Sequence, residues 1–83
     1  MNWHVQHSTR SAPGEVTHLL RHSLDGATVR VVDSLARDDE GYARRLREYV
    51  YVERPTLVVS DPERRQIDEA LRAAGAPAAG GAR

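Results

Sequence analysis

The chain has no cysteine, no lysine and no phenylalanine among its 83 residues, and its twelve arginines are balanced by twelve acids. The missing cysteine excludes a disulfide framework, a thiolate metal site and thiol chemistry. With no net charge and a pI near 6.9, the chain carries no electrostatic footprint for nucleic acid or an anionic membrane, and neither is expected as a partner. No apolar run approaches the roughly 20 residues that span a bilayer, and no basic-then-apolar leader opens the chain. A cytoplasmic location is the expectation. Neither a G-x-G-x-x-G nor a G-x-x-x-x-G-K segment occurs, so nucleotide binding has no motif behind it and no cofactor is expected. A chain of this size buries only about 60% of its unfolded surface, which predicts one domain with a thin core.

Apolar spacing and punctuation predict alternating strands and helices. Trp3, Val5 and His7 alternate with His4 and Gln6, the period of a strand over residues 3–7. Pro13 suits the first turn of a helix in which Val16, Leu19, Leu20 and Leu24 share one face, ended by Asp25-Gly26. Thr28 to Asp33 (TVRVVD) reads as a buried strand. A second helix is expected from Asp38 to Tyr49, its acids first and its arginines later, with Tyr42, Leu46, Tyr49 and Val50 inward. Pro55 precedes another expected strand, Thr56 to Ser60 (TLVVS). Asp61-Pro62-Glu63 opens a last helix with Asp61 as cap, Ile67, Ala70, Leu71 and Ala74 inward, and Gly75 as the stop. The expected architecture is a single α/β domain over residues 1–75, a small βαβαβα sandwich with parallel strands, followed by a disordered tail over 76–83. A flavodoxin-like parallel sheet is the alternative.

Residues following the strands are where such a sheet places ligands. Ser8, Thr9, Arg10 and Ser11 at the mouth of the first expected helix have the composition of an anion site. Asp33 and Asp61 follow the other two strands. Glu15, His18 and His22 are spaced to share a helix face, and the two histidines have the i, i+4 spacing of zinc-binding helices, although H-E-x-x-H is absent and a solvated stripe is the simpler reading. His7, Ser11 and Asp33 contain the groups of a hydrolase without the G-x-S-x-G signature. The arginines of the second expected helix read as self-paired with neighbouring acids, which singles out Arg10 and Arg54.

The order of these elements, with Arg54-Pro55-Thr56 before a buried strand, resembles the thioredoxin-like superfamily. His7-Ser8-Thr9-Arg10-Ser11 is similar to the His-x-x-Arg-Cys loop of arsenate reductase-like proteins, and Ser8-Thr9-Arg10-Ser11 has the spacing of a glutaredoxin C-x-x-C. Val29 to Leu35 together with Pro55-Thr56-Leu57 resembles the circadian clock KaiB family, which uses this fold for protein binding. The resemblance implies a cis Pro55 beside Ser11 and a fourth strand, for which Arg64 to Ile67 is the available segment. Because serine stands where the attacking cysteine would, thiol redox chemistry is excluded. The function it implies is that of a redox-inactive, protein-binding or regulatory domain. Its partner would meet Ser8, Thr9, Arg10, Ser11, Arg54 and Pro55, with Trp3 exposed beside them. A small oxyanion-binding or transferase-type enzyme using the Ser8–Ser11 loop with Arg10 and Arg54 is the alternative. Tyr49 to Val52 at a sheet edge makes a homodimer a further expectation.

Overall fold

The computed structural model describes residues 2–77. It contains four strands, β1 (Trp3–Ala12), β2 (Glu15–His22), β3 (Thr28–Arg37) and β4 (Ala43–Tyr51), followed by one helix, α1 (Asp61–Ala73). Every neighbouring strand pair is antiparallel, in the order β1-β2-β3-β4. The expected βαβαβα sandwich, thioredoxin-like or flavodoxin-like, is thereby corrected to an antiparallel meander with a helix on one face. The helices expected at Pro13–Leu24 and Asp38–Tyr49 are instead β2 and β4 with the turn residues that flank them.

Turn chemistry explains the difference. Pro13-Gly14 is the whole loop between β1 and β2, and Gly14 adopts a φ of 74°, the left-handed conformation that a type II turn requires after proline. The acids read as a helix N-terminus cap a hairpin instead: the Asp38 carboxylate accepts from the backbone N–H groups of Glu40 and Tyr42 at 3.0 and 2.9 Å, an Asx-type turn. With both ends of each segment fixed as hairpins, the chain between them pairs as strand.

The inward face of the sheet is set by register. Val16, His18 and Leu20 on β2 and Val29, Val31 and Asp33 on β3 are all buried. Trp3, Leu20, Val29, Val31 and Tyr51 form one hydrophobic cluster with Val59 and the α1 residues Ile67, Ala70 and Leu71. The N-cap of α1 lies one residue earlier than expected, at Ser60 rather than Asp61: Ser60 accepts from the Glu63 N–H, while its hydroxyl donates to the Glu63 carboxylate. This is a capping box, worth about 1 kcal/mol, with Pro62 in the first turn.

Four further expectations need correction. Trp3 is 3% exposed rather than free for a partner. The Thr56 to Ser60 segment is irregular, with Val59 buried and Leu57 and Val58 exposed. Arg64 to Ile67 lies within α1. No described peptide bond is cis, so the cis Pro55 is absent. Of the expected tail, Ala76 donates its N–H to Leu71 and packs against the core, and residues 78–83 lie outside the described residues. Among the described residues no helix is long and apolar enough to cross a membrane.

Candidate functional site

Two places in the fold gather chemistry. The first is a line of polar side chains that crosses the inward face of the sheet. Ser8 on β1 stands directly opposite His18 on β2, and Asp33 on β3 directly opposite Arg47 on β4. His18 pairs with Val31, which puts Asp33 two residues further along the same face and within reach diagonally. The Ser8 hydroxyl lies 2.6 Å from His18 Nδ1, and His18 Nε2 lies 2.9 Å from Asp33 Oδ2. Arg47 grips the same carboxylate with two donors, Nε to Oδ1 at 2.5 Å and a terminal nitrogen to Oδ2 at 2.8 Å. Its other terminal nitrogen donates to Asp68 of α1 at 2.7 Å, and the Tyr49 hydroxyl donates to the same Asp68 oxygen at 2.6 Å. All five elements contribute to the line.

Burial alone would raise the Asp33 carboxyl, which is 6% exposed. Hydrogen bonds from Arg47 and His18, and the charge on Arg47, outweigh it and hold the group below its usual value. Arg47 is held charged mainly by its bond to Asp33. Burial, and then the bond to Asp68, push Tyr49 up to about 12. An ionised carboxylate has only acceptors to offer, so His18 Nε2 carries a proton toward Asp33. In the neutral ring Nδ1 is then the acceptor, and the Ser8 hydroxyl donates to it. That tautomer follows from the network of donors and acceptors.

The second place is a cleft of about 530 Å³ between the β2–β3 turn and the β4–α1 connection. Trp3, His22, Tyr51 and Leu57 form its walls, and Asp25, Glu53, Arg54 and Glu63 bring charge to it. The His22 ring stands edge-on to Trp3, with centroids 4.8 Å apart. The Tyr51 hydroxyl donates to Glu63 at 2.7 Å, and burial followed by this bond raises it to about 12. The same bond is the main reason Glu63 sits below its usual value.

The sequence-derived site is divided between these places. Ser8 belongs to the polar line, while Thr9 is exposed opposite Thr17 and Arg10 is exposed opposite Val16. Ser11 donates to Glu15 at 2.6 Å and lies 2.9 Å from the Thr17 hydroxyl. No helix follows this loop, so it has no helix amides to offer an anion. Arg54 lines the cleft and Pro55 is exposed in the same connection. That end of the sheet is marked by the Trp3–His22 pair, whereas Ser11 lies near the opposite end, by Ala12 and Glu15. Ser11 and Pro55 are therefore not neighbours. Glu15, His18 and His22 do not share a face, because alternation in a strand sends Glu15 outward and both histidines inward. Among the described residues no group of three His, Asp or Glu side chains is placed to hold a metal ion.

No family model matches the chain, and no curated protein or solved structure matches it. The thioredoxin-like resemblance accordingly rests on short segments that the fold does not arrange in that way. The residues that sequence reasoning passed over are Arg47, Asp68, Tyr49, Tyr51 and Glu63. Arg47 was hidden among arginines that read as self-paired; its signal was the strand-like YVYV that follows, which puts Arg47, Tyr49 and Tyr51 on one face.

Proposed function

We propose that the protein is a binding module that takes a segment of a partner protein in the cleft beside Trp3, Tyr51 and Arg54. One observation carries this reading. Of the seven large apolar side chains that stand exposed among the described residues, Leu24, Val52, Leu57 and Val58 lie on the two connections that border the cleft, and Leu57 lines it. Apolar exposure gathered around a concave surface is the signature of an interaction site, whereas scattered exposure needs no explanation. Three carboxylates and one guanidinium among the lining groups favour a segment that combines an apolar anchor with basic residues.

The test is selection of peptides from a random display library, followed by titration of the winners into labelled protein. Enriched peptides should carry an apolar residue flanked by arginine or lysine. Their binding should weaken about tenfold or more when Leu57→Asp removes the anchor contact, and comparably when Glu53→Lys reverses the charge. If no peptide is enriched, or if the winners bind the Leu57→Asp protein equally well, the cleft is not a docking site. Arg10 and Ser11 stand toward the other end of the sheet from Arg54, which favours this reading over the oxyanion-binding alternative.

A further inference from the structure

The polar line supports an activity unrelated to the cleft. Inward residues on β1 would normally alternate as Trp3, Val5 and His7. The register instead runs Val5 opposite Leu20, His7 opposite Leu19 and Ser8 opposite His18, so Gln6 is an extra residue in β1. This bulge turns Ser8 to the inward face and aims it at His18; bulges commonly re-aim a side chain in this way. Ser8 keeps part of its surface open to solvent, while His18 is fully buried. Ser8 is thus the member of the pair on the side that solvent reaches, and the imidazole nitrogen behind it is shielded from water. Asp33 fixes the tautomer in which that nitrogen accepts, and Arg47 fixes Asp33 through two bonds.

We propose that Ser8 is an acylatable nucleophile toward small activated esters, with His18 as its general base and Asp33 as a positioning residue. The arrangement has the roles of a serine–histidine–aspartate relay, with the two ring nitrogens exchanged relative to the serine proteases. Either nitrogen serves, because what matters is that hydroxyl and carboxylate occupy opposite ends of one imidazole. With p-nitrophenyl acetate, the Ser8 oxygen bonds to the carbonyl carbon as its proton passes to His18 Nδ1. The adduct expels p-nitrophenolate, leaving acetyl-Ser8 and an imidazolium that faces the Asp33 carboxylate. His18 returns the proton to the phenolate or to solvent, and water then attacks the acetyl group to release acetic acid and restore Ser8.

The experiment treats the full chain with p-nitrophenyl acetate, follows phenolate release, and maps the acetyl group by peptide fragmentation. The label should fall on Ser8, and the rate should drop about a hundredfold in Ser8→Ala and His18→Gln, while Ser11→Ala is unaffected. Asp33→Asn should lower the rate at saturating ester without raising the ester concentration for half-maximal rate, a split that loosened substrate binding does not produce. If His18→Gln fails to fold by circular dichroism, thiol probes replace it. The thiol of Ser8→Cys should then alkylate with iodoacetamide about tenfold faster than that of Ser11→Cys, because only the first faces His18. Acetyl on the N-terminal amine, His4 or His7 with none on Ser8 overturns the proposal. So does a Ser8→Cys thiol that reacts no faster than its Ser11→Cys counterpart.

Discussion

Replacing Asp33 with asparagine isolates what the polar line contributes to stability. The carboxylate accepts three hydrogen bonds, two from Arg47 and one from His18. An amide has one acceptor oxygen. Placed at Oδ2, it keeps the bonds from His18 and from one Arg47 nitrogen, but it turns an NH2 group toward Arg47 Nε, donor against donor. The loss is one charge-assisted bond, about 1.5–3 kcal/mol, together with the attraction between the charges. Breaking a fully buried pair costs about 3–5 kcal/mol. The Arg47 side chain is 32% exposed, so solvent screens part of that attraction and the expected cost is about 2–4 kcal/mol. Urea denaturation should show the midpoint fall with an unchanged slope, and melting should drop by roughly 10–25 °C for a domain of this size. The dependence on pH gives a second readout. Because the folded-state value of Asp33 is depressed, its contribution is present above the unfolded value and is lost as pH falls through the folded value. The stability gap between wild type and Asp33→Asn should therefore be full near neutrality and close below about pH 4. A gap under about 1 kcal/mol at neutral pH, or one that persists undiminished in acid, would refute the electrostatic account.

Three other outcomes are expected. Ile67 is fully buried in the cluster, and Ile67→Ala should cost about 2–5 kcal/mol in urea denaturation. Trp3 has a buried ring nitrogen with no hydrogen-bond partner, so Trp3→Phe should remain within about 1 kcal/mol of wild type, the lost packing being offset by removal of an unsatisfied donor worth about 1–3 kcal/mol; Trp3→Ala should cost about 3–5 kcal/mol. Tyr49 and Tyr51 both rise from 10.0 to about 12 in the fold. Their contribution is complete below pH 10 and is lost as pH climbs toward 12, so an alkaline melting series should steepen in that interval, and less so in a Tyr49→Phe, Tyr51→Phe double variant.

Parts of this fold were legible. Thr28 to Asp33 is strand, and Asp61 to Ala73 is the helix that its proline, its acids and its Ile67, Ala70, Leu71 stripe describe. β2 was not legible because its inward row is Val16, His18, Leu20: the middle member is polar, so the apolar alternation is broken. What remains, Val16, Leu19 and Leu20, has helical spacing by coincidence. β4 fails for the same reason, since Arg47 occupies an inward position and breaks the period of two. The misreadings of β2 and β4 thus share this cause, beside the turn chemistry that makes hairpins of their ends. Side chains that bond to one another across the sheet looked, in one dimension, like charges meant for solvent, and only the register between strands shows that each has its partner. Asp33 and Ser8 were singled out from their places after strands, but their link through His18 depends on a bulge with no sequence signature.

That bulge leads to a further prediction, because an extra residue in a strand is the one whose removal leaves register intact. With Gln6 deleted, Val5 still faces Leu20, His7 still faces Leu19 and Ser8 still faces His18, and β1 pairs without interruption from Trp3 to Arg10, the second irregularity at Ser11 being untouched. Deleting His4 has a different consequence. If the bulge persists, Trp3 moves from its place opposite His22 to the outward face. If the bulge is absorbed, Trp3 stays, but Val5 turns outward and Gln6 turns toward Leu20 in the core. The first outcome exposes a side chain worth about 3–5 kcal/mol and the second buries an amide at a cost of about 1–3 kcal/mol while losing the packing of a valine. In a scan of single deletions from His4 to Thr9, removal of Gln6 should be the mildest, within about 1 kcal/mol of wild type in urea denaturation. The Ser8 acetylation rate should survive that deletion, which leaves Ser8 opposite His18, and be lost when Ser8 itself is removed. A Gln6 deletion as damaging as that of His4 would mean that the bulge itself, and not the pairing on either side of it, holds β1 in place.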